Sequence, residues 1–245
     1  MKNIKIVIQY EGTRYQGWQR QESSENTIQG KFEAILQKMT GKPVTIQASG
    51  RTDAGVHALG QVANFIIDTA LSTQQIMDYM NQYLPEDIAV VSIEEMDSRF
   101  HARLHAKKKT YQYRVRNSAI PDVFSRRNVY QINEPIDLEA MRLAAAKLCG
   151  KHDFKAFTST KKGKKSTVRT IDEIIISQNK EEIIFSYTGD GFLYHMIRIL
   201  TGTLLEIGKG NRKPEEISAV LESGLREQAG PLAPALGLTL MEVIY

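Results

Sequence analysis

The run Ile4-Lys5-Ile6-Val7-Ile8-Gln9-Tyr10 sets Ile4, Ile6, Ile8 and Tyr10 on every second position, the period at which a strand turns one face toward a core. The residues downstream of it decide the kind of sheet that strand joins. Asn26-Thr27-Ile28-Gln29 reads as a polar cap with Gln at the third helical position, leading into Ile28, Phe32, Ile35, Leu36 and Met39 at helical spacing. Gly41-Lys42-Pro43 closes that helix. Two strand-like runs come next, around 43–48 and 61–67, on either side of a glycine-rich stretch. Ser72 to Gln75 repeats the capping signature before a helix bearing Ile76, Met77 and Met80, which Pro85 must end, and Ile88 to Met96 is again a strand. The order β-α-β-β-α-β is that of the split βαβ, ferredoxin-like arrangement, with helices on one face of an antiparallel sheet.

The same order recurs further along the chain. Thr110 to Val115 alternates as a strand, 138–148 is an amphipathic helix stopped by Gly150, and 168–177 and 183–188 are strands. A strongly apolar helix is expected from about 192 to 206, a shorter one after Pro214, and a closing strand over 238–245. The fold expected is therefore α+β, two ferredoxin-like halves with antiparallel sheets and a cleft between them. Residues 1–104 form the first half and 105–245 the second, joined near 98–108. No sequence repetition links the halves.

Composition narrows the function. With 42% hydrophobic and 24% charged residues the chain reads as a soluble globular protein. No apolar run approaches the ~20 residues of a membrane span, and no apolar leader precedes the first strand, so a cytoplasmic location is expected. The single cysteine, Cys149, lies among Ala144, Ala145, Ala146 and Leu148 and reads as core. Five histidines and one cysteine supply neither a CxxC pair nor an HExxH motif, and His101 and His105 sit on no recognisable helix, so no metal site is expected. The net charge of +4 is gathered into two tracts without acids. One holds Arg99, Arg103, Lys107, Lys108, Lys109, Arg114 and Arg116; the other holds Lys155, Lys161, Lys162, Lys164, Lys165 and Arg169. Each is either a solvated loop or part of a phosphate-binding footprint.

Between the strands near 43–48 and 61–67 lies Ala48-Ser49-Gly50-Arg51-Thr52-Asp53-Ala54-Gly55-Val56-His57-Ala58, too rich in small residues to be packing material. Glycines at 50, 55 and 60 allow sharp turns and a close approach of backbone to ligand. On the residues alone, Asp53 either braces a turn through its own backbone or is a carboxylate presented at a sheet rim, with Arg51 beside it to hold a phosphate or ribose.

Gly50 to Ala58 resembles the signature of the tRNA pseudouridine synthase A family. Further matches are Tyr10-Glu11-Gly12-Thr13 with Gly17-Trp18-Gln19-Arg20-Gln21, Phe100-His101-Ala102-Arg103 with Lys109-Thr110-Tyr111, and His152-Asp153-Phe154. Gly191-Phe192-Leu193-Tyr194-His195-Met196-Ile197-Arg198 and Ala229-Gly230-Pro231 with Ala233-Pro234 and Gly237-Leu238 complete the set. The resemblance implies a cofactor-free isomerase that converts uridine to pseudouridine at positions 38, 39 and 40 in the anticodon arm of tRNA and works as a homodimer. It also implies that the family's catalytic aspartate falls on Asp53, its active-site tyrosine on Tyr111, the arginine paired with the aspartate on Arg198, and the motif arginine on Arg51.

The residues suit such chemistry. Exchanging an N1–C1′ for a C5–C1′ bond needs neither redox change nor added group, and Gly202 to Lys209 lacks phosphate-loop spacing. It does need an ionised carboxylate, as covalent nucleophile at C1′ or C6 or as electrostatic support for an electron-poor sugar. Arg198, in an otherwise apolar helix, is either that carboxylate's partner or a charge at the helix's exposed edge. Tyr111 alternates with Tyr113 and is either a sheet aromatic or a platform for the uracil. Trp18 reads as structural, and His57 as a hydrogen-bonding neighbour of the turn. The competing reading is a tRNA-binding module or chaperone without catalysis, which has no need of Asp53, Tyr111 and Arg198 together.

Overall fold

In the computed structural model, β1 (Lys2–Tyr10) buries Ile4, Ile6, Ile8 and Tyr10, the alternate positions that the sequence marks. The structure describes residues 1–160 and 166–245. After β1 come α1 (Ile28–Thr40), β2 (Gln47–Ala48), β3 (His57–Ile67), α2 (Thr73–Tyr83) and β4 (Ile88–Met96). β1 runs antiparallel to β3, with Ile6 opposite Ala63, and antiparallel to β4, with Ile6 opposite Ile93. β2 flanks β3 on its other side, giving the order β4-β1-β3-β2. Phe32, Leu36, Ile76 and Met80 from the helices are fully buried, as are Ile4, Ile6 and Ile8 of β1.

Capping follows local chemistry. Ser72 Oγ accepts from Gln75 N at 3.2 Å while Gln75 Oε1 accepts from Ser72 N at 2.9 Å, so two end groups of α2 are satisfied reciprocally. At α1 the cap is Thr27, whose Oγ1 accepts from Gly30 N at 3.2 Å. Asn26 instead donates to Arg14 O, and Gln29 Oε1 accepts from Arg20 N, which leaves no reciprocal box. The strand expected over 43–48 shrinks to two residues. Pro43 has no N–H to give a ladder, and Ile46 N turns to the Glu33 carboxylate at 3.4 Å. β3 begins earlier than expected, because the last strand of the chain pairs parallel with it, Thr239 opposite His57 and Leu240 opposite Ala58.

The chain divides into two compact units, Met1–Lys107 with Thr239–Tyr245, and Lys108–Leu238. The second contains β5 (Lys108–Asn117), β6 (Tyr130–Ile132), α3 (Leu138–Leu148), β7 (Gly150–Asp153), β8 (Val168–Asn179), β9 (Glu182–Gly189), α4 (Met196–Gly208) and α5 (Glu216–Ser223), before β10 (Leu238–Ile244). β5, β9, β8 and β7 pair antiparallel in that order, and β6 pairs parallel with β5. α4 starts four residues later than the apolar run suggests, because His195 takes a left-handed φ of 64° and the preceding residues form a turn. Cys149 is half-buried just past α3, not core; its thiol is pushed up by burial and contacts Ala145 O at 3.5 Å. The fold is mixed α+β, mostly antiparallel, with five α-helices among the described residues.

Candidate active site

The loop from Ser49 to Val56 is held in shape by groups outside it. Gln61 bridges its entrance: Ser49 Oγ donates to Gln61 Oε1 at 2.8 Å, and Gln61 Nε2 donates to Gly50 O at 2.9 Å. The buried Tyr10 Oη lies 2.8 Å from Thr52 Oγ1, and burial lifts its phenol from 10 to about 12. On the far side the chain from Gly12 to Trp18 lies against the loop backbone. Trp18 N donates to Thr52 O at 3.0 Å, Gly55 N donates to Tyr15 O at 3.3 Å, and Val56 N closes the turn on Asp53 O at 3.2 Å. Two glycines make this approach possible. A Cβ on Gly12 would stand 2.0 Å from Val56 O, and one on Gly17, whose φ is 86°, would stand 2.7 Å from Thr52 O. The early Gly12 and Gly17 segment and the Asp53 loop are therefore one structural piece.

Within that frame Thr52 and Val56 point into the core, Asp53 is half-buried, and Arg51 is exposed. Trp18 is 2% exposed and lies against Tyr10, in keeping with a structural role. His57 is buried too, and its Nδ1 accepts from Gly12 N at 2.9 Å, which fixes the tautomer that leaves Nδ1 unprotonated. Its imidazole braces the turn. The bracing roles of Tyr10 and Gln61 were not read from the sequence, because alternation marks Tyr10 only as core, Gln61 is only the first residue of a strand-like run, and neither reading says where a hydroxyl or amide is aimed.

In the second unit Tyr111 faces Tyr187 across the β5–β9 ladder and meets Phe192 edge-on at 5.4 Å. Tyr111, Tyr113 and Val115 are buried on one face, as the alternation implies. Tyr187 Oη lies 2.8 Å from Thr201 Oγ1, so α4 covers that face. Arg198 is half-buried on α4 rather than at an exposed edge. Its Nε donates to Ala233 O at 2.8 Å and its carbonyl accepts from Ala233 N at 3.1 Å, a double clamp on the segment after Gly230-Pro231. The Arg198 charge also bears on the Tyr113 phenol, opposing the rise that burial causes.

The basic tracts are less free than their sequence suggests. Among the described residues Arg99 pairs with Asp97, Lys108 with Asp172, Arg114 with Glu182 and Arg116 with Glu181. Four cations of a tract without acids in sequence thus meet acids in space. Of the second tract, Lys161, Lys162, Lys164 and Lys165 lie outside the described residues. Among the described residues no cluster of three His, Cys, Asp or Glu could hold a metal, and no helix is long and apolar enough to cross a membrane.

A family profile described as tRNA pseudouridine synthase matches residues 6–104 and 144–245. The chain belongs to the tRNA pseudouridine synthase family. Among relatives, tRNA pseudouridine synthase A of Bacillus sp. is 45% identical and that of Acetivibrio thermocellus 42%, each over 245 residues and the whole of both chains. tRNA pseudouridine synthase A 1 of Clostridium tetani is 44% identical over the same span. A crystal structure of a Cbf5-Nop10-Gar1 complex aligns over 97% of this chain and 49% of its own, at 10% identity and a TM-score of 0.40, too distant to bear on function. Asp53, Arg51 and Arg198 fall inside the family match and Tyr111 outside it, although the full-length relatives span that position.

Proposed function

We propose that this chain is a tRNA pseudouridine synthase that isomerises uridine to pseudouridine at positions 38, 39 and 40 of the anticodon stem and loop, with Asp53 as its catalytic carboxylate. The observation that carries the reading is identity of 42–45% to synthases of that name along the entire chain, with the Asp53 loop inside the matched region. Tyr111, Arg198 and Arg51 are proposed to bind the substrate. The order β4-β1-β3-β2 in the first unit, and β5-β9-β8 around α3 and α4 in the second, supports two ferredoxin-like halves, 1–104 and 105–245, with the last strand shared back to the first. A homodimer acting in the cytoplasm on the anticodon arm completes the reading, with tRNA as partner and no cofactor.

The chemistry breaks the N1–C1′ bond, turns the base and joins C5 to C1′; C5 loses its proton and N1 gains one. The target nucleotide must first leave its stack, at a cost of about a few kcal/mol. Asp53, half-buried on a loop whose turns are fixed beforehand, meets the sugar or ring without reorganising, which is where pre-set geometry lowers a barrier. Arg51, two residues before it, is exposed, which suits a contact with a phosphate or ribose. Tyr111 offers an aromatic edge to the uracil and a phenol to the C5 proton.

Tritium release from unmodified tRNA carrying C5-tritiated uridine tests this directly. Wild type is expected to release tritium, and Asp53→Asn to release none while binding tRNA normally. A folded wild type that binds tRNA and releases nothing would replace the enzyme with a binding module.

A further inference from the structure

Tyr194 and His195 stand just before α4, four and three residues ahead of Arg198, and their rings stack at 3.7 Å with an interplanar angle of 27°. Adjacent side chains do not ordinarily stack, since a strand sends them to opposite faces and a helix about 100° apart. Here the backbone forces the pairing. His195 has a φ of 64°, and among the described residues only Lys180 shares a positive φ without being glycine. Lys180 serves the tight turn between β8 and β9, where such an angle is usual. His195 takes it as the third residue of the hydrogen-bonded turn in which Met196 N donates to Leu193 O at 3.1 Å, immediately before α4. Residues that begin a helix normally take an extended conformation, and a left-handed histidine costs about 1–2 kcal/mol.

That strain is held in place from outside. His195 Nδ1 lies 2.9 Å from Ser159 Oγ, Thr158 Oγ1 donates to Tyr194 O at 2.9 Å, and Ser159 N donates to the same carbonyl at 3.3 Å. Three bonds thus fasten a two-residue turn whose result is a tyrosine ring backed by an imidazole and left 55% exposed. Arg169 lies beside Gly191, three residues before Tyr194, its Nε 3.9 Å from where a Gly191 Cβ would stand and its Nη1 donating to Ser166 O and Val168 O. A backbone held by surrounding structure and a rigid, exposed aromatic face are parts of a single-stranded RNA contact.

We propose that Tyr194, backed by His195, is a stacking platform for an unpaired base of the RNA substrate. The proposal rests on the reading of the chain as an enzyme of tRNA. A ring face accepts any base, so the platform adds affinity and orientation and leaves sequence choice to other contacts. It is a binding residue, and its loss acts on KM rather than on the chemical step.

The test compares Tyr194→Phe, Tyr194→Leu and Tyr194→Ala in the full chain, with Kd for an unmodified tRNA transcript and kcat and KM for tritium release. Phe is expected within about twofold of wild type, whereas Leu and Ala raise Kd and KM about 10-fold with kcat nearly unchanged. His195→Asn, which tolerates the left-handed angle but removes the backing ring, is expected between them. Unchanged binding by Tyr194→Ala overturns the platform, as does a leucine that rescues as well as phenylalanine, or a loss confined to kcat. A wild type without tritium release, in variants that still rank Phe above Ala in binding, would sink the isomerase reading and leave the platform standing.

Discussion

Tyr10 carries its weight through one hydroxyl. Its ring continues the apolar face of β1, but its Oη on Thr52 is what ties the sheet to the turn that displays Asp53. The phenol is raised to about 12 in the folded chain against 10 when unfolded, so its contribution is intact below pH 10 and is lost as pH climbs to 12, where the unfolded chain binds fewer protons. Each such proton steepens the decline by about 1.4 kcal/mol per pH unit. Tyr10→Phe should flatten the alkaline limb of a stability-against-pH curve by one proton and cost about 1 kcal/mol at neutral pH for the missing bond. An alkaline limb of unchanged slope in the variant would show that the phenol titrates elsewhere. Gly17→Ala is a sharper intervention, since the new methyl meets Thr52 O at 2.7 Å in a backbone with φ of 86°. It should reduce tritium release at least 10-fold while the second unit keeps its stability by hydrogen exchange; full activity would mean that the loop does not need this close approach. The turn that carries Asp53 was legible in the sequence, because small residues such as Gly50 and Gly55 crowd together where backbone must turn. Tyr10 and Gln61 were not, because a buried polar atom reveals its purpose only when its partner is in place.

Elements were legible in proportion to how local their causes are. The cap of α2 was, since Ser72 and Gln75 satisfy each other within one turn. Ser72→Ala should lower the stability of the first unit by about 1 kcal/mol, measured by chemical denaturation, and no loss would mean that water replaces the hydroxyl. The start of α4 was misjudged for the complementary reason: Phe192 and Leu193 continue its apolar pattern, and the bonds of the Tyr194-His195 turn to Thr158 and Ser159, remote in sequence, are not visible in it. β6 and β7, at three and four residues, are too short for any period to declare itself. Gly202 shows how tightly α4 is fitted, for a Cβ there would stand 1.9 Å from Pro231 O. Gly202→Ala should push away the segment that Arg198 clamps at Ala233, costing about 1–3 kcal/mol and most of the activity. A normally active alanine variant would show that this segment moves freely of the site.

The strand order of the first unit could be guessed from the succession of periods, but its last member could not. Thr239–Tyr245 belongs with Met1–Lys107, more than a hundred residues away along the chain, and nothing in a run of seven residues names so remote a partner. The pairing has a direct bearing on the site. Thr239 and Leu240 lie opposite His57 and Ala58, the residues on which the Asp53 loop ends, and a Cβ on Gly60 would meet Met241 O at 2.2 Å. Leu240 is fully buried, Val243 is 8% exposed, and Tyr245 Oη donates to Ala102 O at 2.6 Å. Each buried aliphatic side chain is worth about 1.5–3 kcal/mol, so the strand supports the first unit by several kcal/mol. Contacts this distant in sequence also form late, because the loop they close is long. A chain ending at Leu238 should therefore keep slow hydrogen exchange in β8 and β9 while His57 to Gly60 exchange faster and tritium release falls with them. Equal loss of protection in both units would mean that they fold as one; undiminished protection at His57 to Gly60 would mean that β1 and β2 alone hold the end of the Asp53 loop.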